Sequence, residues 1–413
     1  MFGTDQSEEK NTIIFDEKTC QNAAKNGDLN LLIYAFLQKC LWNKYTILEA
    51  AENGHLNCLD FAYTYGCPFD DKWTCMLAAK YGHLNCLEYL FEKKFSWDEC
   101  TCAYAAETGQ IECLKYVRLR GCPWDERTLE AAAKNGHFEC LEFALENGCN
   151  QNNWLCTHVA EKGYLKCLKY LIEKNCHWDE FTCAKAARNG HLECLQYLIE
   201  KGCPCNEETC LEAAKNGHLE CLKYAIEKGC EYNEKIYFKA VKKGQLECMK
   251  YIYELIKINY NDILLDKLNK KTCVKAAKNG QLKCLEFAFE KKFLWDEDTC
   301  FYATKHGHFE CLKFAYENGC PWNRKICLNI IRDNKKDNFQ LIFNYIKNKK
   351  YKDEIYDSNK KILNECIICC KNEKCVAFVP CGHMLSCWSC SIQINKCSSC
   401  HRKIDKRLKI FYE

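Results

Sequence analysis

Nine of the chain's 38 cysteines fall after residue 365, close to one Gly-His pair. Their spacing is Cys366-x2-Cys369-x11-Cys381-x-His383-x3-Cys387-x2-Cys390-x6-Cys397-x2-Cys400. Three Cys-x2-Cys pairs and one Cys-x-His pair supply eight thiolate or imidazole ligands. That is enough for two closed tetrahedral zinc sites. Forty residues cannot bury an adequate apolar core alone. Structural zinc, contributing about 10–16 kcal/mol of apparent free energy in small domains, supplies the missing stability. Cys370 and Cys375 stand outside the pattern.

Gly-His followed by cysteine also recurs upstream, as in "NGHLECLKY" from Asn216 to Tyr224. His218 and Cys221 are i, i+3 on one helix, so only two ligands converge there. The equivalent pair in the next copy lies about 8–10 Å away, at helix-packing distance. Disulfide-bridged Cα atoms must approach within about 7 Å, which equivalent cysteines of neighbouring copies do not reach. These cysteines therefore read as small apolar core residues. The histidines at 55, 83, 137, 191, 218 and 308 read as structural residues at helix starts.

The elements that position these residues are set by a repeat. Glycines at 27, 54, 82, 109, 136, 163, 190, 217, 244, 280 and 307 are spaced by 27 residues in most intervals, with one interval of 28 and one of 36. The long interval holds an insertion around Glu254 to Lys271. Asn334 marks a twelfth, degenerate copy. In "NEETCLEAAKNGHLECLKYAIEKGC", Asn206 to Cys230, Asn206 is an N-cap with Glu207 and Glu208 in the first turn. Cys210, Ala213 and Ala214 share one face, and Gly217 stops the helix. Leu219, Cys221, Leu222, Tyr224 and Ile226 build a second helix that Gly229 ends. One hairpin cannot bury both faces, but a stack can, so the copies form a solenoid. The Trp of "PWD" at 42, 97, 124, 178, 295 and 322 recurs in register and reads as inter-repeat packing.

The balance of 59 Lys/Arg against 56 Asp/Glu points to no polyanionic partner. From Arg332 onward, however, 17 Lys/Arg face nine Asp/Glu. The first twenty residues have no apolar core or cleavage pattern, and no run approaches a membrane span of about 18 apolar residues. With its cysteines read as free or metal-bound, the chain is expected in a reducing compartment, the cytoplasm or the nucleus. The expected organisation is an N-terminal segment (1–12), a repeat array of about twelve units (13–350), a charged linker (351–364), a zinc module (365–404) and an apolar tail (405–413).

"AAKNGHLECLKYAIEKG" resembles the two-helix core of ankyrin repeats, and "GCPWDE" resembles the ankyrin-like arrays of large DNA viruses of protists. The resemblance implies a mostly α fold, an ankyrin-like helical-hairpin solenoid, in a host cell's cytoplasm if viral. The unit is shorter than the usual 33 residues, so the joining hairpin finger must be trimmed. Leu77, Tyr104, Ala131, His158, Lys185, Glu212, Lys239, Lys275 and Tyr302 share one register and differ in type, as do Tyr81, Thr108, Asn135 and Lys162. In ankyrin arrays the corresponding helix ends line the partner-binding face. This makes Tyr81, Tyr104, Thr108, His158 and Lys162 candidate substrate contacts.

"FVPCGHMLSC" resembles the RING finger of inhibitor-of-apoptosis ubiquitin ligases. The resemblance implies a cross-brace. Cys366, Cys369, Cys387 and Cys390 would hold one zinc ion, and Cys381, His383, Cys397 and Cys400 the other. It places Ile368, Ile394 and Ser398 in the groove for a ubiquitin-conjugating enzyme. Ile404 and Leu408 become RING homodimer contacts, and Phe411 a ubiquitin contact across the dimer. The sequence departs from the pattern where Ser398 replaces the usual Pro after the seventh ligand. His401 replaces the Arg expected after the last ligand, with Arg402 one step on, so either is the candidate linchpin between enzyme and ubiquitin. A RING ligase has no nucleophile; it gains from positioning a charged conjugating enzyme. The expected function is a ubiquitin ligase whose array holds a protein substrate. The alternatives are a scaffold with an inactive, dimerising RING, and a nucleic-acid binder, which lacks aromatic platforms among its basic residues. No membrane partner is expected.

Overall fold

The computed structural model describes residues 16–259, 262–332, 337–348, 376–379, 384–386, 395–396, 403–404 and 406–409. Among them are 24 helices, α1 (Glu17–Asn26) through α24 (Asp337–Asn348), and three short strands. None of these helices is long and apolar enough to cross a membrane. The chain divides into two compact units, residues 1–276 with 281–294, and residues 277–280 with 295–413.

Within each repeat the sequence dictates a helical hairpin. The copy at Asn206 shows why. The Asn206 side chain accepts from the backbone N–H of Glu208, and α15 (Glu207–Asn216) ends at Gly217, which adopts φ +85°. His218 then opens α16 (Leu219–Glu227). Cys210, Ala213, Ala214, Cys221, Leu222 and Ala225 are buried between this pair and its neighbours. Within each unit the odd-numbered helices pack against one another as an inner row, and the even-numbered helices form a second row behind them.

The long glycine interval is taken up by helix extension. Helices α18 (Leu246–Asn259) and α19 (Asp262–Lys278) run to 14 and 17 residues, where most others have nine or ten. Two further helices, α23 (Arg324–Arg332) and α24, follow near the end of the array and pack on each other. Asn334 itself lies outside the described residues.

Three recurring contacts lock neighbouring repeats. The Gly-His histidines reach back across the junction: His55 Nε2 lies 3.0 Å from the Lys25 carbonyl, and His83 Nε2 lies 2.9 Å from that of Glu52. A carbonyl only accepts, so Nε2 carries the proton. The imidazole lies against the glycine that ends the previous helix; a Cβ built on Gly27 would meet His55 Nδ1 at 2.6 Å. The cysteines that open a repeat donate S–H to the N-cap carbonyl of the repeat before, as in Cys67 to Asn43 (3.2 Å), Cys149 to Asp125 (3.1 Å) and Cys203 to Asp179 (3.1 Å). The aromatic of "PWD" packs on second helices, as expected: Trp42 stacks on Phe36 (4.9 Å), Trp97 on Phe91 (5.2 Å), and Trp124 meets Phe143 edge-on.

Burial pushes the second-helix thiols up, Cys86 and Cys140 to about 12. They stay protonated at neutral pH and act as apolar filler. One pair departs from the packing expectation: Cys205 and Cys230 form a disulfide with Cα atoms 5.5 Å apart. Equivalent positions of adjacent repeats lie too far apart for a bridge, but these two are not equivalent. Cys205 stands where most copies carry the aromatic, and Cys230 opens the following repeat.

Candidate metal centre and partner-binding face

The C-terminal strands form one sheet of order β2-β1-β3, with β1 (Val376–Val379), β2 (Met384–Ser386) and β3 (Lys406–Lys409). Strand β1 pairs antiparallel with β2, with a register shift next to Val376. It also pairs antiparallel with β3, Val376 opposite Lys409 and Val379 opposite Lys406. In the sequence, Cys381 and His383 fall between β1 and β2, and Cys387 follows β2. Seven thiols and an imidazole are a soft donor set matched to zinc.

The eight candidate ligands lie outside the described residues, as do Ile368, Ile394, Ser398, His401, Arg402 and Phe411. Leu408 sits in β3 opposite Ala377. Ile404 is 7 % exposed within its own chain, and its N–H donates to the Asn395 carbonyl at 3.0 Å. A bridge between Lys396 and Lys403 flanks that contact. Residues 406–409, shortly after it in the chain, belong to the sheet.

On the array, the five candidate contacts differ in availability. Tyr81 and Lys162 are exposed. A hydrogen bond to Glu52 holds the Tyr81 hydroxyl above its ordinary range. Tyr104 is half-buried, with Lys80 Nζ 4.8 Å from its ring centroid. The Thr108 hydroxyl donates to the Lys80 and Tyr104 carbonyls. His158 is half-buried, its Nδ1 lies 3.9 Å from Glu130 Oε1, and burial lowers its pKa.

Sequence reasoning passed over another column. Tyr45, Trp73, Trp154 and Phe181 begin four first helices in one register, and each is more than half exposed. Cys100 and Arg127 occupy the same register between them, 3.6 Å apart. The 27-residue period would have found them, had the N-terminal helix turn been compared as the C-terminal turn was.

Comparison with known proteins agrees with both parts. A model of ankyrin repeats matches residues 102–182 and 183–263. A model of the C3HC4-type RING zinc finger, a family that typically binds zinc, matches residues 362–407. The chain is 40 % identical over 63 residues to the E3 ubiquitin-protein ligase SP1 of Arabidopsis thaliana, covering 14 % of this chain and 18 % of that one. It is 38 % identical over 47 residues to the apoptosis inhibitor IAP of Cydia pomonella granulosis virus (11 % and 17 %). It is 39 % identical over 46 residues to the E3 ubiquitin-protein ligase IAP-3 of Orgyia pseudotsugata multicapsid polyhedrosis virus (11 % and 17 %). The chain thus spans less than a fifth of the length of these relatives. A mostly helical array of ankyrin repeats is joined in this chain to a RING finger homologous to those of inhibitor-of-apoptosis ubiquitin ligases.

Proposed function

We propose that the chain is a ubiquitin ligase in which the ankyrin array holds a protein substrate and the RING finger recruits a charged ubiquitin-conjugating enzyme. The observation that carries this reading is the RING match over residues 362–407, with relatives named as ubiquitin ligases. In this reading Cys366, Cys369, Cys387 and Cys390 hold one zinc ion, and Cys381, His383, Cys397 and Cys400 the second. Zinc supplies folding free energy rather than chemistry. Ile368 and Ile394 form the apolar seat for the conjugating enzyme, with Ser398 in the groove where the family usually has Pro. Arg402 or His401 donates hydrogen bonds that restrain ubiquitin so that the thioester meets a substrate lysine, a gain from orientation. Since Ile404 is taken up within its own module, RING pairing would rest on Leu408 and Phe411.

The test is self-ubiquitination of the full chain with a panel of conjugating enzymes. Wild type should form conjugates that Cys366→Ser abolishes and Ile368→Ala reduces at least tenfold. Conjugates no more abundant in wild type than in either variant, with every enzyme, would sink the ligase reading. They would leave a scaffold whose RING is inactive, as the departures at Ser398 and His401 would permit.

A further inference from the structure

Three exposed rings of the array stand uncovered. Trp73, Trp154 and Phe181 are each more than half exposed, and among the described residues none of them meets another ring or a cation. They share one register, at the start of α5 (Asp71–Lys80), α11 (Leu155–Lys162) and α13 (Glu180–Arg188). Other exposed rings are covered within the chain. Tyr65 meets Phe36 and Phe61, Phe69 meets Tyr63 and Phe95, and Phe91 stacks on Trp97 with Arg120 5.3 Å from its centroid. Tyr81 is held through its hydroxyl by Glu52. Tyr45, in the register of the three, has Lys44 Nζ 5.8 Å from its centroid. Cations are the common cover on the second helices too, where Lys93 lies 5.2 Å from the Tyr89 centroid, Lys174 5.3 Å from that of Tyr170 and Lys201 5.5 Å from that of Tyr197.

Successive first helices pack side by side, so their N-terminal turns form one edge of the array. That edge is acidic. Its cap and first-turn residues 70–73, 98–100, 125–127, 152–154, 179–181 and 206–208 hold ten Asp/Glu against Lys72 and Arg127. Both bases are paired within the chain, Lys72 3.6 Å from Asp98 and Arg127 2.7 Å from Asp125. Each helix N-terminus contributes about +0.5 charge, so the six together offset only about three carboxylates. Glu207 meets Lys235 of the next copy at 3.7 Å. Glu126 and Glu180, in the copies on either side of Trp154, have no basic partner within ion-pair distance among the described residues. Uncovered rings beside excess carboxylates make a surface complementary to cations, which rings attract through their negative faces.

We propose that this edge docks a basic polypeptide segment, extended and carrying Arg or Lys at about every third residue, whose cations cover Trp73, Trp154 and Phe181. The proposal rests on the reading that the array binds a protein, and it names the partner's chemistry. The spacing follows from the stack. Packed helices lie about 8–10 Å apart, and three residues of extended chain span about 9–10 Å. Trp154 and Phe181, on neighbouring first helices, therefore take cations three residues apart. Trp73 stands three copies earlier and takes one about nine residues further along. A purely apolar segment would cover the rings but strip water from carboxylates without pairing them. Nucleic acid is repelled by the same carboxylates.

The experiment uses the full chain and a fluorescein-labelled Arg-Pro-Pro repeat peptide of about fifteen residues, whose arginines line one side of a polyproline helix about 9 Å apart. Fluorescence anisotropy should show binding that weakens as NaCl rises. Trp154→Ala with Phe181→Ala should weaken it roughly tenfold, the size expected from losing two exposed cation–π contacts. Glu126→Lys with Glu180→Lys should weaken it at least as much. It leaves the rings in place, so it gives a second reading if the alanine pair perturbs folding, which circular dichroism would reveal. Leu119→Ala, an exposed apolar residue on a second helix, should leave binding unchanged. The proposal is overturned if both double variants bind the peptide as wild type does, or if Leu119→Ala weakens binding as much. It is also overturned if a Leu-Pro-Pro repeat of equal length binds more tightly and is lost in the alanine pair. No ubiquitin or conjugating enzyme is present, so docking can hold where the ligase reading fails. Cys366→Ser should accordingly bind the peptide as wild type does, and loss of binding in that variant would move the site off the array and overturn the proposal.

Discussion

The imidazole of His83 ties two helices that are far apart in the chain. Its Nε2–H satisfies the Glu52 carbonyl, one of the orphan acceptors at a helix C-terminus. Gln takes the same post in other repeats, where Gln245 reaches the Lys215 carbonyl and Gln281 that of Lys242. His83→Ala should therefore cost about 1 kcal/mol in urea denaturation, and His83→Gln clearly less. Equal losses would mean that the ring's bulk, rather than its donor, does the work. The two glycine columns separate in the same way. Gly109 has φ +76°, and a Cβ there would lie 2.5 Å from His137 Nδ1. Gly121 has φ +86° with nothing within 4 Å. Lys39, Lys94, Asn175 and Lys292 hold positive φ in the register of Gly121, and no described residue other than glycine does so in that of Gly109. We expect Gly121→Ala to cost about 1 kcal/mol. Gly109→Ala should cost roughly 3 kcal/mol, because the histidine must also leave. Thermal denaturation of the two variants side by side checks the difference.

The hairpins themselves were legible in the sequence because their determinants are local. Asn206 as cap, Gly217 as stop and the alanines facing inward all lie within one 27-residue period. What the period could not reveal were the partners across a junction. Cysteines open most repeats, with Phe95 and Phe293 in that place in two others, but that Cys67 donates to the Asn43 carbonyl follows from stacking geometry. The Cys205–Cys230 bridge escaped for a related reason, since it joins two different registers that only the fold brings together. In the RING the ligand spacing was legible. The pairing of residues 406–409 with β1 was not, because a four-residue strand of mainly basic residues carries no apolar alternation. The bridge encloses the whole α15–α16 hairpin, and closing a loop of that length should stabilise it by about 3 kcal/mol. Reductant should therefore lower the unfolding midpoint of wild type, while Cys205→Ser should already show the lower value and ignore reductant. A wild-type midpoint indifferent to reductant would show that the bridge does not contribute.

At the scale of the molecule, the two parts draw stability from different sources. The array buries alanine, leucine and protonated cysteine along its inner and outer helices. The RING has three short strands in its described residues, and in the proposed reading the zinc that its family typically binds supplies what so small a core cannot. A zinc chelator should abolish ubiquitin conjugation and leave the helical circular dichroism of the array nearly unchanged. Loss of most helical signal on chelation would contradict that independence.

The Gly-His contact has a further consequence for how such a chain can change. Each repeat from the second to the eleventh carries an imidazole, an amide or, at Tyr164, a phenol ring for the junction before it and a glycine at the other end, so such a unit has a plug and a socket. Excising or duplicating any whole 27-residue period leaves each plug facing a socket, whereas a cut out of phase strands one of each. Length can then vary by whole units while every surviving joint keeps its fit, and the reach of the array can be altered without redesigning a single contact.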